Sequence, residues 1–134
     1  MSQKELNMRW IFLSLILTHF GTYAESCFVT AEMKEEFNSK YSDKVIVDVS
    51  VVGSKFTVTI NLPDEMEDQS LYSVLLASDS IEDPTFIAPL EVFHEGEQLV
   101  TWYEIDAGLI RKHFIIIGLK EYCAPSIIKE VLYQ

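Results

Sequence analysis

The apolar positions of this chain repeat with two different periods, and the change falls just after residue 41. Over 29–41, Val29, Met33, Phe37 and Tyr41 recur at four-residue intervals. That spacing sets four apolar groups on one helical stripe and leaves Glu32, Lys34, Glu35 and Glu36 largely off it. Thr30 stands where an N-cap oxygen is needed, so a short N-terminal helix is predicted. From 44 onward the period is two. Val45, Val47, Val49 and Val51 alternate with Lys44, Asp48 and Ser50 over 44–52. Phe56, Val58, Ile60 and Leu62 then alternate with Lys55, Thr57, Thr59 and Asn61, a plain solvated face, over 55–62. Gly53-Ser54 between the two runs suits a two-residue hairpin turn.

Further strands are predicted at 71–77, 85–93, 98–105 and 112–119, separated by polar stretches at 64–70, 78–84, 94–97 and 106–111. Phe114-Ile115-Ile116-Ile117 is apolar on both parities, which suits a central strand or one under a cover. Pro89 has no N–H for a ladder, so 85–93 belongs at an edge or a bulge. The tail SIIKEVLYQ reads equally as a last strand or a helical turn. Six or seven short antiparallel strands at this spacing predict a mostly β sandwich or barrel carrying the short helix.

The N-terminus changes this picture by adding an address. Arg9 precedes an apolar run, Trp10 to Leu17, and Thr22-Tyr23-Ala24 gives a small-x-small exit. This is the layout of a secretory signal peptide, and the run is too short to span a bilayer as a helix. A buried N-terminal helix is the competing reading. Met8 also sits where a compact signal sequence would begin, which makes residues 1–7 an upstream extension. The expected organisation is a cleaved signal peptide over 1–24 and one secreted domain over 25–134, without a membrane anchor.

The full chain holds 10 Lys+Arg against 21 Asp+Glu. Removing Lys4, Arg9 and Glu5 leaves 8 against 20, a mature net charge of −12. Nucleic acid and anionic membrane surfaces need positive counter-charge, so neither is an expected partner. Two cysteines remain, Cys27 and Cys123. In an oxidising compartment they read as one intramolecular disulfide, with free thiols or pairing between chains as alternatives. Closing a loop of roughly a hundred residues would remove about 4–5 kcal/mol of unfolded-chain entropy. No base neighbours either cysteine in sequence, so a catalytic thiol is not expected.

Candidate chemistry is sparse. Asp64, Glu65, Glu67 and Asp68 occupy one loop, and alternate loops of an antiparallel sheet share an end, so they would face Glu95 and Glu97. Such a cluster could hold Ca²⁺, yet its spacing matches no calcium-loop signature, and solvated turn residues are the plainer reading. Asp79, Glu82 and Asp83 fill the next loop. His94 and His113 have no companion at metal-ligand spacing, so no metal is expected. No nucleophile–base motif or phosphate loop is present, so neither enzymatic activity nor a cofactor is expected. Trp102 and Tyr103 fall on opposite faces of one strand. Both packed under the sheet and helix is the plainer reading; the alternative is one in the core and the other exposed as an interface anchor.

The helix followed by VSVVGSKFTVTINL resembles the opening of cystatins, secreted cysteine-protease inhibitors whose Q-x-V-x-G hairpin enters the protease cleft. Across Val49 to Gly53, Val51 and Gly53 agree and Val49 replaces the Gln; the family's C-terminal disulfides and late Pro-Trp are absent. KFTVTINLP, YSVLLASDS, FIAPLEVF, LVTWYEIDAG and HFIIIGLKE are similar, in order and spacing, to the blocks of reeler-type domains, with Leu75-Leu76-Ala77 and Trp102 at matching positions. The Pro expected after the Trp strand is missing, and the N-terminal helix is an addition. This resemblance implies an extracellular β-sandwich with a binding role and names no active residues. The expected protein is therefore an immunoglobulin-like or reeler-like sandwich of 6–7 strands. Its expected function is binding to an extracellular protein or cell-surface ligand. A cystatin-like inhibitor using the 51–54 hairpin, or a carrier with an apolar pocket between sheet and helix, are the alternatives.

Overall fold

The computed structural model describes residues 28–66, 69–120 and 123–134. The signal-like segment, Cys27, Glu67 and Asp68 lie outside the described residues. Helix α1 (Ala31–Tyr41) begins where Thr30 accepts the Met33 N–H on its hydroxyl oxygen at 3.1 Å. Its apolar stripe is unevenly buried. Phe37 and Tyr41 stack at 4.7 Å and Tyr41 enters the core, whereas Met33 is 46% exposed.

The strands are β1 (Ile46–Val52), β2 (Lys55–Pro63), β3 (Glu65–Met66), β4 (Gln69–Ser78), β5 (Phe86–Pro89), β6 (Phe93–Glu95), β7 (Gln98–Asp106), β8 (His113–Leu119) and β9 (Ile127–Val131). They form two antiparallel sheets. The first runs β1-β2-β7-β6; the second runs β3-β4-β8-β9, with β5 also on β4. Among the described residues nine strands thus replace the six or seven expected, and Ile127–Val131 of the tail is a strand rather than a helical turn. Val58, Ile60 and Leu62 from the first sheet meet Val74, Leu76, Ile115, Ile117 and Ile127 from the second in one buried core. The period-2 alternation read in the sequence is what aims them there.

Two tight hairpins turn on a glycine. Gly53 has φ +64 between β1 and β2, and Gly96 has φ +66 between β6 and β7. A first turn residue in this region matches the twist of the flanking strands, and only glycine adopts it without strain.

The 85–93 run departs from its expected single strand. It splits into β5, paired with β4 in the second sheet, and β6, paired with β7 in the first. Pro89 ends β5, since it offers no N–H to extend the ladder. The Leu90 N–H still bonds the Val74 carbonyl at 2.9 Å before the chain crosses between layers. β8 lies centrally between β4 and β9, as its two-sided apolar pattern requires. α1 closes the side of the sandwich along β9. Asn38 Oδ1 accepts the Ile128 N–H at 2.8 Å, and Lys129 Nζ donates to the Ser42 carbonyl at 2.8 Å.

Candidate binding faces

Pairing register builds the first candidate face. Trp102 lies opposite Thr59, and Thr59 opposite Asp48, all on the outer side of the first sheet. The adjacent row across the four strands is Phe93, Val100, Asn61 and Ile46. Trp102 is 55% exposed, Phe93 46% and Ile46 52%. Trp102, Phe93 and Val100 form an apolar patch on this face, with Asn61 between it and Ile46 and the exposed Lys55–Glu104 pair at 3.9 Å at its edge. Sequence parity separates Trp102 from Tyr103 without choosing between them, and the structure exposes Trp102. Phe93 was missed, although a two-residue turn at Gly96-Glu97 would have placed it opposite Val100.

Tyr103 points the other way, into the space between the sheets. Its hydroxyl lies 2.6 Å from the Tyr133 hydroxyl, which lies 2.8 Å from Nδ1 of His113. One sheet therefore supplies Tyr103, the other His113, and the segment after β9 supplies the bridge. Phe56 packs edge-on against Tyr133 at 5.4 Å. His113 is only 4% exposed. Burial holds its imidazole below the ordinary histidine value, against an upward pull from Asp79 and with a downward push from Arg111. Burial likewise raises both tyrosines, so the seam is made of neutral groups. Tyr133 carries no periodicity signal, and the sequence reading missed it.

The acidic loops part company. Pro63 pairs with Gln98, so Asp64 and Glu97 flank one end of the first sheet, where Glu95 also lies. Glu65 turns into β3 and pairs with Ser70 on the other sheet. Lys44 lines a 270 Å³ hollow at this end together with Glu97. Among the described residues no group of three or more His, Cys, Asp or Glu gathers to hold a metal ion. At the opposite end Asp79 meets Arg111 at 3.4 Å. Ser80 Oγ donates to Glu82 at 3.1 Å, and a backbone N–H followed by this hydroxyl lowers the Glu82 carboxyl. His94 is exposed on β6.

A second candidate lies between α1 and the outer face of the second sheet. It is an open groove of about 670 Å³ lined by Ala31, Lys34, Ile81, Ile116 and Ile128, among others. The 51–54 hairpin is exposed, with Val52 at its rim 70% accessible. Cys123 sits between β8 and β9, and no free cysteine occurs among the described residues. No helix among them is long and apolar enough to cross a membrane. No protein-family model matches this chain, and no curated protein matches it significantly.

Proposed function

We propose that this is a secreted, non-enzymatic binding domain of immunoglobulin-like or reeler-like type, stapled by Cys27–Cys123, which holds an extracellular protein through the outer face of its first sheet. The observation that carries this reading is the exposed Trp102 beside Phe93 and Val100 on a regular β surface. Large aromatic side chains left accessible on a rigid, flat element are the anchors that dominate protein interfaces. The acidic mature chain fits a partner with a basic or neutral surface.

The test is affinity capture from extracellular fluid with the wild-type protein and a Trp102→Ser variant. A partner retained by the first and lost by the second, at equal thermal stability, supports the reading. Capture of the same partners by both proteins would remove Trp102 from the interface. A second reading, a carrier of an apolar ligand, is favoured by the groove beside Ile116 and Ile128. Native mass spectrometry of the secreted protein would then show a co-purifying lipid that an Ile116→Arg variant loses. Replacing residues 51–54 tests the third reading, since a cystatin-like inhibitor would lose its activity against a cysteine protease.

A further inference from the structure

The sheet edges of this molecule are not equally protected. β9 gives its Ile128 N–H to Asn38, β6 is three residues long, β3 is two, and β5 ends at Pro89. Short edges, proline and capping side chains all discourage a further strand. β1 has none of these. It is seven residues of IVDVSVV with one charge, and among the described residues β2 is its only neighbour in the sheet.

The backbone parity of that edge is fixed by a turn contact. The Ala107 N–H bonds the Ser54 carbonyl at 2.8 Å, so even-numbered residues of β2 face β7 and odd-numbered ones face β1. Through the register, Ile46, Asp48, Ser50 and Val52 bond to β2. Val47, Val49 and Val51 direct their N–H and C=O groups outward, and burying them unpaired would be costly.

We propose that β1 is a docking edge for a second copy of this chain, paired antiparallel about a two-fold axis through Val49. Val49 then faces the partner's Val49, and Val47 faces the partner's Val51, forming about six N–H···O bonds. The inward valines of both copies continue one core face. On the outer side Ile46 meets the partner's Val52, and Asp48 meets the partner's Ser50. Moving the axis to Asp48 would set two carboxylates directly opposite, which disfavours that register. Moving it to Val47, Ser50 or Val51 shortens the overlap. The strand is thus self-complementary in hydrogen-bond parity, hydrophobic pattern and charge at one register, which is what an isologous interface demands.

Sedimentation of the secreted protein across a wide concentration range tests this. The expected result is a monomer that becomes a dimer as concentration rises. Ser50 is exposed, so changing it leaves the core intact, and unchanged melting curves verify this. Ser50→Lys, set against the partner's Asp48, is expected to tighten the dimer about 10-fold, and Ser50→Asp to loosen it about 10-fold. A monomer at every concentration overturns the proposal. So does a dimer indifferent to the charge at 50, which places the contact elsewhere, or one abolished by Trp102→Ser alone, which assigns it to the outer face.

Discussion

At the residue scale, the polar groups between the two sheets divide into satisfied and unsatisfied ones. Tyr103, Tyr133 and His113 satisfy one another at 2.6 and 2.8 Å. Thr101, fully buried on the same face of β7, has a hydroxyl with no hydrogen-bond partner among the described residues. A Thr101→Val change keeps the shape and removes that cost, so it is expected to raise unfolding stability by about 1 kcal/mol in urea titrations. His113 makes the fold pH-sensitive. Its folded value is depressed, so its stabilising contribution is complete above about pH 6.5 and is lost as pH falls below that. The raised tyrosines act oppositely, weakening the fold as pH rises past about 10. Thermal melts at pH 7.5 and 5.5 check the first point: His113→Phe should show a smaller acid drop than the wild type. The parity of β7 set Trp102 and Tyr103 on opposite faces without saying which of the two turns inward. The partners of Tyr103 were not legible, because they lie on a distant strand and beyond the last one.

At the element scale, local chemistry was the readable part. The β1–β2 hairpin announces itself by clean alternation around Gly53, and the helix by its four-residue spacing and Thr30. What a period cannot show is which neighbour an element finds. The sequence treats 85–93 as one strand, but Pro89 ends its ladder on one sheet and the remainder joins the other. Met33 lies on the apolar stripe yet stays exposed, since α1 is held at its far end by β9. That attachment is testable. Asn38→Ala leaves the partly buried Ile128 N–H without its acceptor, and about 1–2 kcal/mol of stability should disappear. Urea unfolding measures the loss, and an unchanged midpoint would show that the contact carries no weight.

On the scale of the whole molecule, two antiparallel sheets around one core follow from the succession of short alternating blocks, and a sandwich was readable without any structure. The acidic loops show where such reading stops. Asp64 and Glu97 do share an end, as alternating connections require, but Glu65 leaves for the second sheet because it is the first residue of β3. The proposed Cys27–Cys123 staple belongs to this scale too. Alkylation of the unreduced protein should label neither cysteine. Reduction should then lower stability by up to about 4–5 kcal/mol, since the unfolded chain regains the freedom of the closed loop.

The bond between Asn38 and Ile128 joins residues 90 positions apart, and Ser42 meets Lys129 across 87. During synthesis the helix emerges early and waits for its neighbour until β9 has followed. Until then Phe37 and Tyr41 have no finished core to enter, and the apolar edge of β8 stands open. Assembly of this side of the core would therefore finish late and all at once.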